Sequence, residues 1–189
     1  ESSDSTGSGS PGDSTGVLKH LPLDVDSAIF LVDPWAVDKA VKAGVGKRVK
    51  MSIGGCYDKK NSKPVRVDGY VRMISDGRWT ARARGYNTGI ETCMGRTVVL
   101  EVGRMRVLIA ERSAMTVDPE LFRSHGIEPL YTKIVVVKSP LGFRAAYEPL
   151  AKALFVVDTP RVFPARLERL RWKRISRPFC PVDTEVTFA

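Results

Sequence analysis

The apolar residues of this chain come in short packets, SAIFLVD, KRVKMSIGG, RTVVLEV, RMRVLIAE and KIVVVKS, cut apart by Gly, Pro, Asp and Ser. Packets of that length fill strands. They cannot supply the roughly 18 consecutive apolar residues of a membrane helix. The fold must therefore be organised around a sheet, with helices only where a 3.6-residue period survives. SAIFLVD predicts a strand ending at Asp33. PWAVDKAVKAG then predicts a helix, with Pro34 at its first position and Gly44 as its stop. KRVKMSIGG predicts another strand, halted by Gly54 and Gly55, so the first third reads as alternating α/β. Trp35 with Val37 and Val41, and Tyr147 with Leu150 and Leu154, stand at helical spacing and are expected in the core.

From Pro64 the period changes to two. PVRVDGYVRMIS and RWTARA flank Ser75-Asp76-Gly77, and RTVVLEV and RMRVLIAE flank Gly103, which predicts antiparallel hairpins. DPELFRSHG predicts a short helix with Asp118 as cap, Pro119 in the first turn and Gly126 as stop. KIVVVKS, PLGFRAAYEPLAKA and LFVVDTP predict a parallel strand-helix-strand unit returning to the first layer. The expected fold is α/β, a mixed sheet with flanking helices and an inserted antiparallel β-meander. The chain is read as a single domain, 1–189, closed by an irregular tail, RVFPARLERLRWKRISRPFCPVD.

The formal net charge of +9 favours polyanions by Coulomb attraction, but the basic residues are scattered and cluster only in RLERLRWKRISR. That run reads as a solvated face or domain contact, so nucleic acid is not the expected partner. Neither is a membrane. Cys56, Cys93 and Cys180 have no paired spacing, and an odd count argues against a disulfide framework, which points to a reducing cytoplasm. The polar opening, starting at Glu1 with no charged-then-apolar leader, reads as an internal start of a longer chain.

The stretch DSTGSGSPGDSTGVL, Asp4 to Leu18, is where chemistry is most concentrated. Glycines allow tight turns and close backbone approach, and amides at a helix start can face an anion. Gly7, Gly9 and Gly12 match G-x-G-x-x-G, with Asp33 at the position of a ribose ligand. The strand that a dinucleotide loop requires is missing, because only ESSDST precedes Gly7. A phosphate loop fails too, since Asp13 stands in place of the lysine and would repel phosphate. Locally, the glycines and Asp13 form a turn and a cap for a helix from about Ser14 to His20.

Asp4, Gly7, Gly9, Pro11, Gly12, Asp13 and Thr15 are in register with the Asp-Asn-Pro-Gly-Gly-Gly-Ala-Pro-Gly-Asp-Gly-Thr signature of a known family. The likeness continues through VDPWAVDKAVKAGVGKRVKMSIGG, VRMISDGRW, DPELFRSHGIEP, VVVKSPLGFRAAYEPLAKALFVVDTP and RISRPFCPVD. On these residues the chain resembles the carboxy-terminal domain of the microcystinase C (MlrC) family. The resemblance implies part of a zinc-dependent peptidase or amidohydrolase. An amino-terminal domain of the same protein would hold most zinc ligands, and this domain would close the site over a peptide or amide substrate. It also implies a catalytic role for Asp4, reaching toward the metal or its water. Departures at Ser5, Thr6, Ser8, Ser10 and Ser14, Gly142 where many relatives carry His, and Arg161 where Gly is common, imply a divergent branch with altered or reduced activity.

Residue chemistry agrees with a divided site. Hydrolytic zinc needs about three His, Asp or Glu ligands plus a water, while His20 and His125 have no partner at ligand spacing and read as surface or capping residues. Substrate contacts are expected from Gly7, Gly9, Gly12 and Asp13. Lys138, Ser139 and Arg144 join them at the strand-to-helix edge, where α/β folds bind ligands. Arg144 can hold a carboxylate with two hydrogen bonds, or form an ordinary surface ion pair. The competing reading is a non-catalytic phosphate- or carboxylate-binding α/β module. A homo-oligomer is compatible with either.

Overall fold

A computed structural model describes residues 1–161, 166–183 and 186. Its frame is a six-stranded mixed sheet: β1 (Ser27–Val32), β2 (Arg48–Ile53), β3 (Val65–Ser75), β6 (Thr97–Val102), β7 (Met105–Ala110) and β8 (Ile134–Val136). The strand order is β2-β3-β6-β7-β1-β8. β1 runs parallel to β7 and β8, and the other neighbours are antiparallel. A separate ribbon pairs β4 (Arg78–Thr80) with β5 (Glu91–Cys93). The α/β class with an antiparallel insertion is as the sequence predicts.

Every residue of β1 is buried because both faces of the sheet are covered. Ile29 and Leu31 enter one core with Ala36, Val37 and Ala40 of α1 (Pro34–Ala43), and Ala28, Phe30 and Val32 enter a second with Trp79, Leu121, Phe122 and Tyr147. β3, solvated on one face, alternates as its sequence does. α1 starts where predicted: Pro34 sits in the first turn, and Asp33 Oδ1 accepts from Ala36 N at 2.9 Å. Asp33 Oδ2 also accepts from Gly54 N at 2.8 Å, so one carboxylate ties helix start to the end of β2. Asp33→Ala should cost about 1–2 kcal/mol, the upper range of a lost cap, read as a lower urea midpoint with an unchanged slope.

Four expectations are corrected. β3 and the RWT segment do not form a hairpin. Gly77, at φ +70°, carries the chain off the main sheet, and burial of Trp79 and Ala81 in the second core draws β4 into pairing with β5. The helix expected at Ser14–His20 is one 3-10 turn, Leu18–His20, because the backbone before it bonds to other segments. LFVVDTP is not a strand: residues 151–161 run as an irregular strap whose polar end is drawn toward the first residues of the chain, with Ser2 N donating to Val157 O at 3.0 Å. The expected strand-helix-strand unit thus ends at α3 (Arg144–Tyr147) and the 3-10 turn Glu148–Leu150. Finally, Trp35 is 62% exposed and packs on Tyr57 at 5.8 Å, and Leu154 is exposed, while Val37 and Tyr147 are core as expected. A short helix, α2 (Glu120–Arg123), forms in the expected segment but starts one residue later, with Pro119 at the cap position and Asp118 Oδ1 accepting from Glu120 N. Of the basic tail, residues 162–165 lie outside the described residues, and the rest has one 3-10 turn, Leu167–Arg169.

Candidate functional site

The polar opening is inside the protein. Glu1 N donates to Val137 O at 2.8 Å, Val32 N donates to Gly12 O at 3.1 Å, and Thr6 Oγ1 donates to Ala114 O at 2.5 Å. Those three anchors lie at or beyond the carboxyl ends of β8, β1 and β7: Val137 follows β8, Val32 ends β1 and Ala114 stands four residues after β7. Residues 1–15 therefore cross the edge at which parallel strands present ligands.

Asp4 is the hub of this crossing and is fully buried. Its Oδ2 accepts from Lys138 Nζ at 2.6 Å and Ser14 N at 2.8 Å, and its Oδ1 accepts from Arg161 Nη2 at 2.7 Å and Gly12 N at 3.2 Å. The anion held by the glycine-loop amides is thus the chain's own carboxylate. Lys138, also fully buried, donates further to Gly12 O at 3.0 Å and Ser14 O at 3.1 Å, which satisfies its three hydrogens. Arg161 Nη2 bridges from Asp4 to Asp13 Oδ1 at 2.5 Å, and its Nη1 lies 3.6 Å from Asp58 Oδ2. Burying ions is tolerable only when each is paired and hydrogen-bonded; Asp4 and Lys138 meet that condition, while among the described residues Arg161 Nε and Nη1 are buried without a hydrogen-bond partner.

Asp13 does not cap a helix. Its Oδ2 accepts from Tyr57 N at 2.7 Å and Asp58 N at 3.3 Å, pinning the turn after β2 to the loop. Burial pushes its carboxyl up, but the Arg161 guanidinium and those two amides outweigh burial and hold it below the ordinary 3.8. A lowered acid stabilises the fold fully above its ordinary value and stops doing so as pH falls through the lowered one. Thermal melts between pH 5 and 2, followed by circular dichroism, should show a steeper acid loss in wild type than in Asp13→Asn.

These residues do not fit zinc. Among the described residues no group of three or more His, Cys, Asp or Glu is placed to hold a metal ion. A metal at Asp4 would have to displace both Lys138 and Arg161, so the geometry makes Asp4 an anchor of the loop rather than a ligand. His20 is exposed. His125 is buried, not on the surface, and its Nδ1 faces Leu121 O at 2.8 Å, which fixes Nδ1 as the protonated nitrogen. Burial lowers its pKa, against the opposing pull of the Leu121 carbonyl.

Beside the hub lies a cavity of about 100 Å³, bounded by Ser5, Gly7 and Ser8 on one side and by Lys138, Ser139 and Gly142 on the other. Tyr86, Met115, Thr116, Val117 and Pro140 complete it. The structure thus brings Gly7, Lys138 and Ser139 together, as the sequence reading grouped them. It places Gly9 in the open at φ +89° and Gly12 under Thr6 and Val32. Arg144, on α3, faces Glu148 at 3.4 Å with its side chain 43% exposed, the ordinary surface pair. Sequence reading missed Arg161 as a buried counter-ion and Tyr86 as a cavity wall. Burial of Asp4 and Asp13, which calls for two cations, is a tertiary fact, and nothing local in the sequence names Arg161 as the second.

Comparison with known proteins adds three findings. A family model described as "MlrC C-terminus" matches residues 1–174. A Sphingomonas sp. protein named "Microcystinase C" is 24% identical over 187 residues, covering 97% of this chain and 35% of that protein. A crystal structure from Mesorhizobium sp. BNC1, named "Putative metallopeptidase", superposes with a TM-score of 0.77 at 26% identity, over 95% of this chain and 36% of that one. The chain thus spans about a third of the length of both relatives.

Proposed function

This chain belongs to the MlrC C-terminus family, and from that premise we propose that it serves as the carboxy-terminal part of a zinc-dependent peptidase or amidohydrolase. The observation that carries the reading is the pairing of a near-complete match to this chain with a one-third match to the relatives, one named a microcystinase and the other a metallopeptidase. In this reading zinc is held by an amino-terminal domain, and zinc supplies an activated water to an amide bond. The present chain binds and orients substrate. The buried Asp4, Lys138 and Arg161 cluster fixes the loop backbone, so that Gly7 and Ser139 face a preformed cavity, and a fixed site lowers the entropy lost on binding.

Asp4 acts here as a positioning residue. The cavity's polar lining is hydroxyl and backbone, with the Lys138 ammonium already committed to Asp4, which favours a neutral amide over a phosphate or carboxylate. That argues against the anion-binding module. The exposed apolar run Leu154–Val157, with Phe155 84% exposed, supports contact with the remainder of a longer protein. Free Cys56, Cys93 and Cys180 support a cytoplasmic setting. Among the described residues no helix is long and apolar enough to cross a membrane.

The test is to purify the longer protein and this chain separately, and to measure bound zinc and hydrolysis of a peptide-amide library. Zinc and chelator-sensitive cleavage in the longer protein, with neither in this chain, is the expected result. A longer protein that cleaves nothing in the library after zinc loading sinks the peptidase reading.

A further inference from the structure

Gly142 borders the cavity, and a side chain there would have little room: a Cβ would lie 3.1 Å from the Tyr86 hydroxyl, 3.2 Å from Tyr86 Cε1 and 3.1 Å from Val117 Cγ1. The phenol occupies space that the glycine leaves open. Tyr86 is carried at the tip of a loop whose base is pinned, since Arg82 N and Ala83 N both donate to Asp118 Oδ2 at 2.9 Å. The loop also closes on itself, with Thr88 Oγ1 donating to Ala83 O at 2.7 Å. The loop backbone is therefore held in place, while the Tyr86 side chain, 68% exposed, has a weakly engaged hydroxyl. The phenol donates to Met115 Sδ at 3.7 Å, and a thioether sulfur is a poor acceptor that an amide oxygen readily replaces.

Across the cavity stand Ser5, which accepts from Ser8 Oγ at 3.0 Å, and Ser139, 5% exposed. Thr116 is committed to Lys138 O at 2.9 Å, and Lys138 to Asp4, so no uncommitted charge faces the space. The geometry points to Tyr86 as a substrate-contacting residue. Its hydroxyl donates to a neutral amide carbonyl seated between the Ser5–Ser8 turn and Ser139, in a gap that a Cβ at position 142 would narrow by crowding Tyr86 and Val117. This rests on the peptidase reading for the identity of the amide as a peptide bond or its neighbour.

The test uses the full 189-residue chain, titrated in NMR with N-acetylalanine methylamide and, in parallel, with acetate. The amide should give saturable shifts at the Tyr86 ring, Ser139 and Gly142, and acetate should not. Tyr86→Phe should weaken amide binding about fivefold, as expected for one hydrogen bond, without altering the melting temperature. Gly142→Ala should move the Tyr86 resonances before any ligand is added and should weaken amide binding. Equal binding by wild type and Tyr86→Phe, acetate binding as tight as the amide, or a Gly142→Ala variant that behaves as wild type would each overturn the proposal. Failure of the wild-type chain to bind the amide sinks this inference alone, whereas absent metal-dependent hydrolysis in the longer protein sinks the peptidase reading alone.

Discussion

Asp4→Ala should lower the melting temperature of this domain by about 6–20 °C, the largest effect expected of any single polar substitution in it. Removing the carboxylate leaves the Lys138 ammonium and the Arg161 guanidinium buried near one another, and strands the amides of Gly12 and Ser14. Removing one partner of a buried, hydrogen-bonded ion pair costs about 3–5 kcal/mol, against a total stability of roughly 5–15 kcal/mol. For a domain of this size each kcal/mol moves the midpoint about 2–4 °C. Asp4→Asn keeps the shape and half the acceptors, so its loss should be smaller. Combining Asp4→Ala with Lys138→Ala should cost less than the sum of the two single changes, because the second removes a charge the first had orphaned. Thermal and urea melts of the wild type, the three single variants and the double variant measure this. A midpoint for Asp4→Ala within about two degrees of wild type would mean that the cluster is solvated and that Asp4 does not organise the loop.

Gly12→Ala should destabilise by about 2–5 kcal/mol through two separable causes. The backbone at Gly12 has φ +84°, which costs a residue with a Cβ about 1–2 kcal/mol. The Cβ would also stand 2.6 Å from Thr6 Cγ2 and 2.9 Å from Val32 Cγ2, an overpacking worth about 1–3 kcal/mol more. Gly9 separates the two. It has φ +89°, and a Cβ there would meet nothing within 4 Å, so Gly9→Ala should show the backbone cost alone. Thr6→Ser removes the nearer methyl and should recover part of the Gly12→Ala loss. Equal midpoints for Gly9→Ala and Gly12→Ala would show that the loop is not packed against β1 as described.

The residues that could be read correctly in isolation are those whose partners are close in sequence. Pro34 and Gly44 framed α1 because first position and stop act within one helix, whereas the Asp33 cap emerged only in the structure. The hairpin of β6 and β7 followed from alternation on either side of Gly103. Glycine-loop residues drew attention for a sound reason, but what fills the loop could not be read locally. Lys138 lies 134 positions from Asp4 and Arg161 lies 157 away. Nothing in the local pattern distinguishes a lysine after IVVV that turns inward from one that reaches solvent.

By itself the sequence determined the strand packets, the α/β frame, the first helix with its ends, and the resemblance that located the chain in a family. Period, capping chemistry and φ preference are local, so they act before any tertiary contact exists. Tertiary structure alone decided that β4 leaves the main sheet, that LFVV is not a strand, and that the glycine loop encloses Asp4 rather than an external anion. Those outcomes are set by burial and by charge pairing across the whole chain. A buried carboxylate must find its cations wherever the fold brings them, and only the folded sheet brings Lys138 and Arg161 to Asp4.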